Sequence, residues 1–277
     1  MNLLETAKHC AAASGGNRLS AEAVRELTTA SGNSVEQLML ELIPLAKMLA
    51  RPAISGLHVG AVTRGTTGAL YFGANLEFVG CPLSNTVHAE QAAVINAAAN
   101  GETGLSALAV SAPPCGYCRQ FLQELATADQ LEILLADQPA RKLSDYLPSA
   151  FGPADLNVAS GLLATQQHAL QWVVPGERSS AAELALRAAR ASYAPYTSAF
   201  AAVALTTHDG ETFTGSYLEN AAFNPSISPL QAAAVSLMLA GRGMNEIVSA
   251  ISVQTEGSAV AHTTWARSLL KQLDHPG

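Results

Sequence analysis

The apolar positions along the chain change period several times, and each change marks an element. Residues 1–47 carry the helical period. Ser20 stands ahead of AEAVRELTTA as an N-cap. VEQLMLELIPLAKML repeats apolar residues at intervals of three and four, and Pro44 is expected to kink or break that run. From His58 the runs shorten. HVGAVTR and ALYFGANLEFV are β-branched or aromatic stretches on either side of RGTTG, which predicts a hairpin. NTVHAEQAAVINAAANG predicts a helix capped at Asn85 or Thr86 and stopped at Gly101. LSALAVSA predicts a strand, PCGYCRQFLQELAT a helix with Pro114 in an early position, and LEILLAD a further strand. Alternation of this kind belongs to α/β layered domains.

Residues 148–180, with Pro148, Gly152, Pro153, Pro175 and Gly176, predict a connection. The pattern then restarts. SSAAELALRAARASYAPY is helical, FAAVALTT a strand, TFTGSYLENAAF a strand and loop, PLQAAAVSLMLAGRG a helix and EIVSAISVQ a strand. The restart has the marks of a duplication. GANLEF (73–78) is followed within fifteen residues by HAEQAAV, and GSYLEN (215–220) is followed at nearly the same spacing by PLQAAAV. Pro52 lies 23 residues before Asn75, and Pro195 lies 22 before Tyr217. The expected organisation is a helical segment (1–47), a core domain (48–150), a linker (151–180) and a second core-like domain (181–277).

Composition narrows the function. Of 277 residues, 49% are apolar and 13% charged, so the chain has ample material for a core and is not disordered. Roughly a fifth of it is alanine, which favours close-packed helices. No uninterrupted apolar stretch approaches the ~18 residues of a membrane span, and the first residues lack the apolar core of a secretion signal. A cytoplasmic protein is expected. The formal charge of −7 and the lack of a Lys/Arg cluster argue against nucleic acid as a partner and for a small neutral or cationic substrate.

The chemistry gathers in two short motifs, HAE (88–90) and PCGYC (114–118). Two cysteines three apart at a helix start can face one metal, and a histidine from another helix supplies a third ligand. Three protein ligands leave one position of a tetrahedral zinc open, which is the catalytic arrangement. His88, Cys115 and Cys118 are therefore candidate zinc ligands. Glu90 follows His88 by two residues, ~200° around a regular helix, yet a carboxylate at a helix start can still reach a metal-activated water as general acid and base. Three other readings stand beside this one. The cysteines could be a redox pair, Cys81 could close a structural site as fourth ligand, or the motif could be coincidental. H-x-E with P-C-x-x-C is the signature of zinc-dependent deaminases.

With YFGANLEF, TVHAEQAA, PCGYCRQF, YLPSAFGP and GSYLENAAFNP in order and at approximate spacing, nearly the whole chain resembles the cytidine deaminases of the bacterial dimeric type. That resemblance implies a duplicated three-layer α-β-α fold behind an N-terminal helical segment. One zinc per chain would sit in the first domain, and the second domain would be zinc-free. The implied activity is hydrolytic deamination of cytidine and 2′-deoxycytidine to uridine and 2′-deoxyuridine in pyrimidine salvage. Glu90 would shuttle protons between a zinc-activated water and the base, in a homodimer.

The resemblance also assigns the substrate's neighbours. Asn75 and Glu77, flanking Leu76, match the pair that holds the ribose hydroxyls, Ala89 a backbone position against the base, and Phe151 an aromatic that helps close a site near the subunit boundary. Leu57 stands where the family often has phenylalanine, offering an apolar wall without ring stacking. Arg119, directly after the second cysteine, could moderate thiolate charge, and the favoured expectation is an ordinary exposed first-turn residue. The zinc motif HAE aligns with Pro229-Leu230-Gln231 in the second copy, and no cysteine follows Cys118, so that copy should bind no zinc.

Overall fold

The computed structural model describes residues 3–13, 15–173 and 175–273. The chain opens with α1 (Leu3–Ala12), the two-residue β1 (Arg18–Leu19), α2 (Ala21–Ser31) and α3 (Val35–Lys47). Ser20 caps α2 as expected, and Ser34 and Gln37 form a reciprocal capping box on α3. Pro44 does not end α3, which continues to Lys47. The segment is not wholly helical either, because β1 pairs with a strand further along the chain.

The first unit follows with β2 (Gly60–Gly65), β3 (Leu70–Ala74), α4 (Ala89–Ala99), β4 (Leu105–Val110), α5 (Gly116–Leu122), β5 (Glu132–Leu134), β6 (Arg141–Lys142) and α6 (Leu143–Tyr146). Its sheet has the order β1-β3-β2-β4-β5-β6. All described pairings are antiparallel except β4 with β5. Strand alternation sends Val62, Phe72, Ala107 and Ala109 to one face, against Leu38, Met39 and Leu42 of α3. Ala61, Tyr71, Leu108 and Val110 face the other side and α4. Two helical layers thus enclose the sheet.

The second unit repeats this plan with α7 (Ser180–Arg190), β7 (Ala201–Thr207), β8 (Thr212–Ser216), α8 (Pro229–Leu239), β9 (Ile247–Gln254) and α9 (His262–Leu273). Its sheet runs β8-β7-β9, all antiparallel, matching β3-β2-β4. Ala204 faces α7, while Val203 and Leu205 face α8. Alanine-rich α4 and α8 pack against each other as well as against their own sheets. That position explains why both are buried nearly all round and show no polar face.

Two glycines fix the correspondence between the copies. A Cβ on Gly73 would lie 2.2 Å from the Ala89 carbonyl and 2.3 Å from the Ala93 amide. One on Gly215 would lie 2.5 Å from the Pro229 carbonyl and 2.0 Å from the Ala233 amide. Each glycine lets its helix ride directly on the strand. Ala89 therefore corresponds to Pro229, and HAE corresponds to Ser228-Pro229-Leu230, one residue earlier than the sequence alignment. Bridges agree, with Leu76 paired to Arg51 and Val87 and Leu218 paired to Tyr193 and Ile227. Pro52 accordingly matches Ala194, not Pro195. Helix α9 follows the last element read from the sequence.

Candidate metal centre

His88 is not inside a helix. It is the N-cap of α4, with extended φ −80° and ψ 161°. The expected caps, Asn85 and Thr86, fall short because Leu83–Asn85 form a 3-10 turn and Val87 pairs with Leu76, which keeps the chain extended. Cys115 is likewise the N-cap of α5, leaving Pro114 outside that helix. Both ligand segments thus bring an extended residue to the mouth of a helix. The ~200° separation of His88 from Glu90 on a regular helix does not apply, since only Glu90 is helical.

The three groups converge. His88 Nδ1 lies 3.5 Å from Cys115 Sγ and 3.3 Å from Cys118 Sγ, and all three ligand atoms fall within 4.8 Å of one another. Zinc–sulfur bonds of about 2.3 Å and zinc–nitrogen bonds of about 2.0–2.1 Å at tetrahedral angles set nitrogen and sulfur about 3.5 Å apart. The donor set and its spacing fit zinc. Cys81 does not join this group among the described residues.

The two thiols are unequal by themselves. A hydrogen bond from Cys118 draws the Cys115 thiol down to about 4, with further help from the Cys118 amide and His88. That donor role, followed by burial and nearby Glu90, pushes Cys118 up. A bound cation removes the asymmetry, because a coordinating thiol is deprotonated outright. Glu90 is buried beside Cys118, and its carboxyl is held above the usual range by desolvation, against the opposing pull of its own amide, His88 and the Cys118 hydrogen bond.

The cluster floors a cleft of about 190 Å³. Leu57, Asn75, Ala89 and Glu90, all expected at the site, line it together with His88 and Cys115. Val59, Thr86, Ala112 and Pro113 also line it and were not foreseen, although each directly neighbours a motif. A groove of about 400 Å³ between the units is larger, but its only charged lining residue is Arg187.

The remaining expected residues lie elsewhere. Leu76 is buried in the core. Phe151 is 44% exposed, outside the cleft of its own chain, and its carbonyl accepts Gln120 Nε2 at 2.8 Å. Glu77 is turned to the loop before β2, accepting the Ile54 and Ser55 amides at 2.7 and 2.9 Å and the Ser55 hydroxyl at 2.5 Å. Burial acts to raise its pKa, but these donors and the His88 charge outweigh it and hold the carboxyl below its usual range. Asn75 stitches the same loop down, accepting the Val59 amide and donating to the Leu57 carbonyl, both at 2.9 Å.

Arg119 is half-buried rather than exposed. Its Nε donates to the Pro114 carbonyl at 2.7 Å and its Nη1 to Tyr146 at 3.1 Å. It therefore braces the segment that leads into Cys115.

Known proteins resemble this chain in sequence. Residues 33–131 and 143–267 each match the cytidine and deoxycytidylate deaminase zinc-binding region. The cytidine deaminase of Photobacterium profundum is 42% identical over 256 residues, 92% of this chain and 86% of that one. That of Shewanella loihica is 43% identical over 245 residues, 88% and 81% of the two chains. The chain belongs to the cytidine deaminase family. Among solved structures, a cytidine deaminase from Mycobacterium tuberculosis is 32% identical, covering 43% of this chain and 99% of that chain with a TM-score of 0.39. Within the family frame, the second copy has Ser228, Pro229 and Leu230 where the first has His88, Ala89 and Glu90.

Proposed function

We propose that this chain deaminates cytidine and 2′-deoxycytidine hydrolytically to uridine and 2′-deoxyuridine, releasing ammonia, as a step of pyrimidine salvage. The observation that carries the reading is a buried carboxylate, Glu90, set against a His-Cys-Cys cluster at the floor of a nucleoside-sized cleft. His88, Cys115 and Cys118 would hold a zinc ion, which when bound would lower the pKa of a water to about 7 and so supply a nucleophile at neutral pH. Glu90 takes the proton that this water sheds and delivers it to N3 of the cytosine ring. Attack then occurs at C4. Glu90 then takes the proton of the hydroxyl gained at C4, which becomes the carbonyl, and carries it to the amino nitrogen, which departs as ammonia.

Leu57 and Ala89 wall the base, and the unused donor and acceptor of Asn75 face a ribose hydroxyl. Three of the four acceptor positions of Glu77 are filled by the loop, leaving one on Oε1 for a second hydroxyl. A phosphate in place of that hydroxyl would meet a carboxylate, which favours nucleosides over nucleotides. Exposed Phe151 is suited to closing the cleft of a partner copy, in keeping with a homodimer. No helix of the described residues is long and apolar enough to cross a membrane, and a cytoplasmic enzyme accords with cysteines that form no disulfide among the described residues.

Incubation of the zinc-loaded protein with cytidine tests the activity. The cytosine absorbance should give way to that of uracil, with stoichiometric ammonia. Cytidine left unchanged would overturn the reading. Light scattering should give twice the 28.6 kDa of one chain.

A further inference from the structure

Helix α5 carries one zinc ligand and is capped by another, yet it has only seven residues. A helix that short has no independent stability in water. Besides its contacts within the first unit, α5 is tied to a loop of the second unit. Tyr117, between the two cysteines, donates its hydroxyl to the Asn224 carbonyl. Fully buried Asn220 donates to the Gln120 carbonyl at 3.0 Å. Fully buried Glu124 accepts the Ala221 amide at 2.7 Å. Positions 117, 120 and 124 follow the spacing of one helix face, so the loop runs along α5 and the turn that follows it.

The loop is itself braced. Asn220 donates its amide to Ser226 Oγ and accepts from the Ala222 amide, each at 3.0 Å. Glu124 anchors the arrangement from the first unit. Its Oε2 takes the Ala221 amide, and its Oε1 takes the hydroxyls of Tyr193, at 2.7 Å, and Tyr196. Three donors converge on a group that only accepts when ionised.

We propose that the zinc-free unit acts in cis as a clamp on the zinc-bearing helix, with Glu124 as the positioning residue that couples them. The inference rests on the zinc reading above. Glu124 is six residues beyond Cys118 and is not one of the clustered ligands. Its effect runs through helix geometry. Release of the metal requires a cysteine to swing away from His88, and a helix held along one face resists that motion.

Zinc transfer from the loaded full-length protein to excess chromogenic chelator tests this without reference to turnover. Glu124→Ala strands three donors and should release zinc at least about tenfold faster. Glu124→Gln should stay near the wild-type rate, because its oxygen keeps the Ala221 amide and its nitrogen can donate to a tyrosine oxygen. Tyr196→Phe should fall between them. Val203→Ala, a cavity in the second unit's core, should lower Tm and leave release unchanged.

Equal release by wild type and Glu124→Ala would overturn the clamp, as would equal acceleration by Val203→Ala at matched loss of Tm. If Glu124→Ala does not fold, Tyr196→Phe decides, and a wild-type rate there overturns the clamp. A wild-type protein that takes up no zinc would sink the metal reading instead.

Discussion

Glu77 and Glu219 hold the same position in the two copies and cap the same turn. Glu219 accepts the Tyr196 and Thr197 amides at 2.8 and 3.3 Å and the Thr197 hydroxyl, as Glu77 does with Ile54 and Ser55. The hydroxyls repeat the pattern one step further, Ser55 accepting the Leu57 amide and Thr197 the Ala199 amide, each at 3.1 Å. A copy without metal ligands retains the latch in full. Capping the turn is thus common to both copies and does not depend on the metal cluster.

Substitution separates the loop latch of Glu77 from the proposed hold on the sugar. Glu77→Gln keeps an oxygen for the two backbone amides, gives up the bond from the Ser55 hydroxyl and replaces the free acceptor on Oε1 with a donor. Its kcat/KM for cytidine should fall at least about tenfold, in line with ~1.5–3 kcal/mol for a hydrogen bond to a charged group, while free cytosine is little affected. Glu219→Gln should leave the ratio of cytidine to cytosine untouched. Equal losses on both substrates for Glu77→Gln would show that the residue serves the loop alone.

Glu90→Gln should bind zinc at full stoichiometry and lose nearly all turnover. The amide preserves shape in a buried site but cannot accept and return a proton. General acid–base catalysis contributes about 10²–10⁴-fold, and one residue used in both directions should exceed that range. Deamination within a few-fold of wild type would remove Glu90 from the mechanism.

The centre was legible in the sequence because its parts are local. HAE and PCGYC each place their groups at a helix mouth, and only one fold contact is needed to join them. The hairpin was legible for the same reason, since Gly68 with φ +88° turns the chain between β2 and β3. What escaped depends on distant pairings. The true cap of α4 is decided by Val87 bridging Leu76, and the frame of the second copy by Gly215 resting on Ala233. Arg119 reads as a surface residue until Tyr146 is brought beside it from the end of α6. The tie between Glu124 and Ala221 spans 97 residues, and no periodicity announces it.

Stability should depend on Glu102, a buried carboxylate in the loop between α4 and β4. Burial favours its neutral form, but the hydroxyls of Thr67, Thr66 and Tyr71 and the Thr103 amide prevail and hold its pKa below the usual range. A carboxyl that titrates lower in the folded state stabilises the fold above its ordinary pKa. That contribution disappears as pH falls through the folded value. Glu102→Gln should therefore lose about 1–3 kcal/mol in urea unfolding at pH 7, with the difference shrinking as the pH drops below the carboxylate range. A difference constant with pH would mean that packing, not charge, is what the substitution removes.

Metal content separates the two copies most directly. At the position of His88 the second unit has Ser228, whose hydroxyl caps α8 by accepting the Gln231 amide at 3.3 Å. Where Glu90 stands it has Leu230, and Asn75 is replaced by Tyr217, whose ring lies 4.3 Å from that of His262. The second copy thus has serine, leucine and tyrosine where the first has His88, Glu90 and Asn75, and it has no cysteine. The protein should therefore carry one zinc per chain by elemental analysis, and Cys115→Ala/Cys118→Ala should carry none. Restoring histidine alone, as Ser228→His, should not raise the count, because a lone imidazole without two thiolates lacks the ligands for a tetrahedral ion. Two tightly held zincs per wild-type chain would show that the second copy has kept a metal site by other means.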